Sequence, residues 1–380
     1  MKEGWKVYKL DELLAIHNGK DHKSLEDGDI PVYGSGGIMR YVNKYLYDGE
    51  SILLPRKGTL DNIMFTKGKI WTVDTMYHSS TNLELADSLY LCSYLQQLKL
   101  EQLDTGSALP SMTQTIYYSV KVTLPELPTQ KRIASILSAY DDLIEVNNKR
   151  IELLEQSARE LYKEWFVRMH FPNYKNTKFN RGIPEEWEVK KIDFFGQVIT
   201  GKTPRTENKE YYYGNIPFIK TPDMHDNIFV QKTSMCISEK GATSQKKCTL
   251  PKYAICVSCI GTGGAVCITT AEKSQTNQQI NSIILNNLVN LEFLFFAISN
   301  LKEIIEMVGA TGSTMTNLSK GKFEQLKILY PKEELIVSYH DKVSPIFDQI
   351  ENLQKQNQEL TEIRNRLLPR LISGKLEVKA

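Results

Sequence analysis

The side chains best suited to recognising another molecule are amides and cations set beside glycines. In the N-terminal half, Tyr33-Gly34-Ser35-Gly36-Gly37 offers a flexible backbone whose N–H groups can approach a phosphate. Arg56-Lys57-Gly58-Thr59 offers two cations for phosphates or a guanine edge, and Thr75-Met-Tyr77-His78 adds aromatic and polar contacts. The C-terminal half offers Thr200-Gly-Lys202-Thr203-Pro204-Arg205, Lys220-Thr221, Gly261-Thr262-Gly263-Gly264 and Thr276-Asn277-Gln278-Gln279. Asn and Gln amides hold adenine through two hydrogen bonds. Nucleic-acid contact is the chemistry these types suit. The candidates are Ser35, Gly36, Arg56, Lys57, Thr59, Tyr77 and His78 in the first half, and Lys202, Thr203, Arg205, Lys220, Thr262, Asn277 and Gln278 in the second. Each segment also has a plainer reading: a strand turn for Gly34–Gly37, a solvated face for Arg56-Lys57, loop capping for Asn277–Gln279.

Catalytic patterns are weaker. Asn215-Ile-Pro-Phe218 is superficially like the Asn-Pro-Pro-Phe of adenine methyltransferases but lacks the first proline. Gly261-Thr-Gly-Gly264 runs into Ala-Val-Cys-Ile-Thr-Thr, a strand pattern, so it does not open a helix as a phosphate loop does. Cys256-Val-Ser-Cys259 has zinc-knuckle spacing, yet it sits in an apolar run that reads as a strand, with the two thiols on opposite faces. The six histidines form no metal-ligand spacing. No catalytic residue, metal or cofactor is therefore assigned to this chain.

The elements that must position these residues come in two copies. Gly4-Trp5-Lys-Val-Tyr-Lys-Leu-Asp11 recurs as Glu186-Trp187-Glu-Val-Lys-Lys-Ile-Asp193, and Gly19-Lys20 as Gly201-Lys202. Ile30-Pro31-Val32 answers Ile216-Pro217-Phe218, Arg56–Thr59 the region of Ile260–Gly263, and Thr105-Gly106-Ser107 answers Thr311-Gly312-Ser313. Leu124-Pro125 and Tyr330-Pro331 each precede a long helix. Ile133, Leu137, Tyr140, Ile144, Asn147, Ile151, Leu154, Ala158, Leu161 and Trp165 follow four-three spacing, as do Val343, Ile346, Ile350, Leu353, Asn357, Leu360, Arg364, Leu367 and Leu371. That spacing predicts coiled-coil helices of about 38 residues, ~57 Å each. An antiparallel register pairs Ile133 with Leu371, Leu137 with Leu367, Ile144 with Leu360 and Asn147 with Asn357, and sets Tyr140 against Arg364 as a cation–π pair. The predicted fold is mixed α+β: two pseudo-repeated α/β globules held apart by two long antiparallel coiled-coil helices.

At 380 residues the chain has room for two domains, and its net charge of +2 gives no bulk electrostatic case for DNA, so that case rests on local organisation. The first ten residues carry no apolar leader and no run approaches the ~20 residues of a membrane span, which with the cysteines predicts a cytoplasmic protein without membrane contact.

Taken in order, Leu127-Pro-Thr-Gln-Lys-Arg-Ile-Ala134, Gly182-Ile-Pro-Glu-Glu-Trp187, Thr200-Gly-Lys-Thr-Pro204, Ile260-Gly-Thr-Gly-Gly264, Asn277-Gln-Gln-Ile280 and Leu367-Leu-Pro-Arg-Leu-Ile-Ser-Gly-Lys-Leu376 resemble the specificity subunits of type I restriction–modification systems, over nearly the whole chain. The first copy departs from the pattern: Gly19-Lys-Asp-His22 and Val73-Asp-Thr-Met76 stand where the second copy has Gly-Lys-Thr-Pro and Asn-Gln-Gln, and Glu334-Leu-Ile-Val-Ser338 stands where the first long helix has Gln-Lys-Arg-Ile-Ala. The resemblance implies target-recognition domains at 1–128 and, with a linker, 171–331, spacer helices at 129–170 and 332–373, and a tail at 374–380. It implies a non-catalytic reader of a bipartite, asymmetric double-stranded DNA site. Two methyltransferase subunits, which bind S-adenosylmethionine, would dock on it, and a restriction subunit that translocates DNA would join for cleavage. Trp165, Phe166, Leu371 and Ile372 crowd the helix tips as candidate docking surfaces, with packing against the globules as the alternative, favoured for Trp165. The rival functions are a coiled-coil protein-interaction scaffold and a nuclease with a cryptic site.

Overall fold

A computed structural model of the chain describes residues 4–98, 100, 111–225, 227–261, 263–310 and 316–378. The chain divides into two compact units, residues 1–143 with 360–380, and residues 144–359. The fold is mixed α and β, with two α/β globules of repeated design and two long helices, Leu127–Tyr162 and Glu333–Ile372.

In the first unit, Lys6–Lys9 pairs antiparallel with Lys121–Leu124. A six-stranded sheet then brings Leu14–Asn18 against Met76–Thr81, and on through Tyr47–Pro55 and Met64–Thr72 to Asp27–Gly34 and Gly37–Val42. The second half of Tyr47–Pro55, from Ser51 on, and most of Met76–Thr81 are covered on both faces, which is why their residues are apolar or small and hydrogen-bonded rather than alternating. The core gathers Leu10, Leu13, Ile52, Leu54, Tyr90, Leu91 and Tyr117 with Ile133 and Leu137 of the first long helix and Leu371 and Ile372 of the second. Gln130, almost fully buried, stitches the helix start to the globule: its Nε2 donates to Pro125 O (2.9 Å) and Leu85 O (3.1 Å), and its Oε1 accepts from Asp87 N–H (3.0 Å).

The second unit repeats the plan. Glu188–Lys191 pairs antiparallel with Lys327–Tyr330, and Gly196–Thr200 with Ile280–Leu285. The latter strand leads into Ile255–Ser258, Val266–Thr269 and Phe229–Val230. Its core is aromatic: Tyr162, Trp165, Phe166, Phe293, Phe296 and Tyr339 form a continuous set of tilted and edge-on rings. Trp165 and Phe166 are 6% and 7% exposed. They are core residues of this unit, and Leu371 (1% exposed) and Ile372 (5%) are core residues of the first, so the expectation of exposed docking tips is corrected for Phe166, Leu371 and Ile372, while Trp165 packs inside as the alternative favoured for it has it. Ring area removed from water stabilises the fold more than it could at an exposed tip.

The helices run antiparallel within each unit. In the second, Asn147 Nδ2 donates to Asn357 Oδ1 (2.9 Å), as the register predicts, while Asn357 Nδ2 donates to Asn148 Oδ1 (2.8 Å) and Tyr339 packs toward Ala158. In the first, Arg364 pairs with the Asp141 carboxylate instead of stacking on Tyr140. A charge-assisted hydrogen bond outweighs a cation–π contact at a half-exposed site. Among the described residues no helix is long and apolar enough to cross a membrane.

Candidate nucleic-acid interface

Each unit carries one cluster of loops at the ends of its strands, and the two clusters share a hydrogen-bond frame. In the first, Gly19 N–H donates to Met76 O (3.2 Å) and Lys20 N–H to Thr72 O (2.8 Å). In the second, Gly201 N–H donates to Ile280 O (3.1 Å) and Lys202 N–H to Thr276 O (2.9 Å). Glycine is required at both because the turn touches backbone: a Cβ would lie 1.9 Å from Val73 O at Gly19, and 2.2 Å from Asn277 O at Gly201. The parallel pair Tyr33↔Thr72 recurs as Ile219↔Thr276. Val73 N–H donates to Tyr33 O (3.0 Å) as Asn277 N–H does to Ile219 O (3.2 Å). Arg56 N–H donates to Thr75 O (2.9 Å) as Cys259 N–H does to Gln279 O (2.7 Å). Gly58 and Gly261 then both turn with positive φ, +90° and +82°.

On this frame Ser35, Gly36, His22, Lys23 and Asp74 line a cavity of about 590 Å³, and the Arg56–Thr59 segment adjoins it where Arg56 N–H and Lys57 N–H both donate to Thr75 O (2.9 and 3.3 Å). Asn62 Nδ2 donates to Ser35 O (2.7 Å), which holds the Gly-rich turn against the Arg56–Thr59 segment. Arg56 Nη1 donates to Asp74 O at 3.4 Å, and Arg56, Lys57, Gly58 and Thr59 are all exposed. Tyr77 and His78 do not join them. They are 4% and 6% exposed, because both faces of Met76–Thr81 are covered. The Tyr77 ring packs edge-on against Tyr117, and His78 Nδ1 lies 3.1 Å from Thr72 Oγ1 with its ring stacked on His17. Burial, helped by the nearby His17 and Lys20, pushes the His78 pKa down to about 4. Neither side chain offers a contact surface, which corrects the expectation for both.

In the second unit Lys202, Arg205 and Gln278 are exposed, and Thr203 and Lys220 half-buried. Thr203 Oγ1 donates to Gln278 Oε1 (2.7 Å), and Lys220 N–H donates to Asp223 (2.9 Å). Asn277 is 9% exposed, and its amide is committed to its own loop: Nδ2 donates to Gln279 Oε1 (2.9 Å) and Oδ1 accepts from Gln279 N–H (3.2 Å). It is a staple rather than a contact. Thr262 lies outside the described residues, as do Thr105–Ser107 and Thr311–Ser313. Cys256 lies opposite Cys267 across two strands, in a core separate from that of Cys259, so the zinc-knuckle spacing is split between two faces.

The candidates drawn from the sequence left out Asp74, which is exposed in the frame position of Gln278, while Gln279 and Thr221, each in an offered segment, meet through their side chains at 3.4 Å. The signal was present: Val73-Asp-Thr-Met76 stands in place of Asn277-Gln-Gln-Ile280 in the repeat.

A duplicated α/β globule, each copy sharing its core with a pair of antiparallel helices and bearing a cation-rich loop cluster, defines a two-copy DNA specificity protein. The type I restriction modification DNA specificity domain matches residues 2–156 and 184–362, and the chain belongs to that family, as a type I specificity subunit. It is similar to the type I restriction enzyme HindI specificity subunit of Haemophilus influenzae, with 31% identity over 328 residues, covering 70% of this chain and 71% of that protein. The MjaIX specificity subunit of Methanocaldococcus jannaschii is 26% identical over 418 residues, covering 99% and 94%. The crystal structure of a type I restriction-modification S subunit from M. genitalium shares the fold, with a TM-score of 0.66 at 17% identity over 97% of this chain and 96% of that one.

Proposed function

We propose that this chain is the non-enzymatic reader of a type I restriction–modification complex, each unit recognising one half of a split, asymmetric double-stranded DNA site. The observation that carries this reading is one backbone frame dressed with unlike side chains: Val73-Asp74-Thr75 in one unit and Asn277-Gln278-Gln279 in the other. Equal frames approach DNA alike, and unlike side chains then read different bases. Two methyltransferase subunits dock on the chain, bind S-adenosylmethionine and methylate adenine on both strands, and a restriction subunit joins when DNA is cut. With a net charge of only +2, the partners supply much of the surface that grips phosphate.

Co-expression with its methyltransferase subunit, followed by mapping of methylated adenines across the host genome, tests this. One split motif, methylated on both strands, is the expected result. Methylation without a shared motif, or duplex binding by the complex that is insensitive to salt, favours the protein-interaction scaffold to which the low charge also points.

A further inference from the structure

The tip of each frame is three residues long, 73–75 and 277–279, and burial sorts them alike: buried, exposed, half-buried. The flanking Thr72 and Met76, and Thr276 and Ile280, are buried. Met76 N–H donates to Val73 O (2.9 Å) and Ile280 N–H to Asn277 O (3.3 Å), so the backbone closes beneath the middle residue in both. The side chain presented to solvent is therefore Asp74 in the first unit and Gln278 in the second. Resting on the function proposed above, we infer that Asp74 and Gln278 are equivalent specificity-determining residues, each reading one base of its half-site.

Their chemistry predicts which bases. Gln278 is held by Thr203, whose hydroxyl donates to Oε1 at 2.7 Å. That leaves Nε2 free to donate and the second lone pair of Oε1 free to accept, the pattern of adenine N7 and N6. Thr203 is thus a positioning residue. In the first unit its frame position is Asp21, whose carboxylate accepts from Lys23 N–H (3.0 Å) and turns back on its own loop. Asp74 stands without a side-chain partner among the described residues; Lys23 lines the same cavity, Arg56 Nη1 donates to the Asp74 carbonyl, and the Lys57 and Lys20 N–H groups donate to the adjoining Thr75 and Thr72 carbonyls. A carboxylate presented to DNA from among cations is repelled by phosphate and matched only by a base donor, and the cytosine N4 amino group is the donor it suits.

Asp74→Asn and Gln278→Glu exchange the two chemistries with little change of shape, and both sites are exposed, so the fold tolerates them. The full chain with its methyltransferase subunit, assayed by methylation of a random-sequence duplex library, provides the test. Asp74→Asn moves one position of one half-site from cytosine toward adenine and leaves the other half-site unchanged. Gln278→Glu moves one position of the other half-site from adenine toward cytosine. Discrimination at each altered position changes roughly tenfold or more. Thr203→Val loosens the position read by Gln278 and no other, which a general loss of stability would not do. If both exchanges leave every position of the motif unchanged while methylation proceeds, the inference fails and the proposed function stands. Loss of methylation on all sequences also overturns it, because a reader alters one position; Asp74→Ser and Gln278→Ser repeat the test should an exchange variant not fold. A wild-type complex that selects no motif removes the proposed function itself.

Discussion

A buried amide must find its partners inside the protein, and Asn277 finds them two residues away in Gln279. The exposed neighbour is left to face outward. The same division explains Tyr77 and His78: sequence types suited to base contact were placed in a strand covered on both faces, and side-chain type alone could not reveal that burial. Alignment of the repeats did carry the position of Asp74. His78 has a measurable consequence. Above about pH 6.5 its ring is neutral whether the chain is folded or unfolded. As pH falls toward 4 the unfolded chain takes up the proton while the buried ring, with its pKa near 4, resists it. Stability is lost across that window by up to roughly 3 kcal/mol, and the loss levels off once the folded ring protonates. His78→Gln should therefore lose less melting temperature than wild type between about pH 7.5 and about pH 4.5, by roughly 4 °C or more; equal losses would show that the ring does not titrate this way. Gly201→Ala makes a second case. The added Cβ would lie 2.2 Å from Asn277 O, and the displacement should cost about 1–3 kcal/mol of stability, read in the melting curve. At Gly321, inside the helix Lys320–Glu324, where a Cβ meets nothing within 4 Å, the same change should not lower the melting temperature and should raise it slightly.

The long helices were readable because four-three spacing survives any surrounding fold, and because a polar residue at a core position seeks another. Asn147 against Asn357 follows from that rule alone. The Arg364 contact did not, since Asp141, one residue beyond Tyr140, lies outside the core spacing. The Gln-Lys-Arg-Ile-Ala segment of the first helix acquires a reason: Gln130 joins three backbone groups of its globule. Counted from Pro125 and Pro331, which precede the two helices, the place of Gln130 falls on Ile336, two residues beyond the Glu334 that the segment comparison sets there; Ile336 is fully buried, so an apolar contact replaces the polar stitch. The asparagine layer gives a prediction about this element. Asn147 is 1% exposed, and Asn147→Leu alone removes its hydrogen bond to Asn357 Oδ1, lowering stability by about 1 kcal/mol. Asn147→Leu with Asn357→Leu should recover that loss and exceed wild type, because apolar core layers are more stable than polar ones and the amides are kept for register. Thermal melts of the two variants check it. A double variant less stable than the single one would mean that the amides hold the helices together and do not merely align them.

The chain passes between its two units twice, at 143–144 and at 359–360, and both crossings lie inside the long helices. Under the function proposed above, the gap between the half-sites should follow the length of these helices. Four residues added to each helix near its crossing lengthen it by ~6 Å, at ~1.5 Å per residue. Against a rise of ~3.4 Å per base-pair step, the unread gap should grow by about two base pairs. Both half-sites should keep their sequences, because the loop frames that present Asp74 and Gln278 are built within the globules and are untouched by the insertion. Methylation mapping in a host carrying the lengthened chain reads gap and half-sites in one experiment. A changed half-site would mean that the helices shape the readers. An unchanged gap would mean that the partner subunits, and not this chain, set the distance.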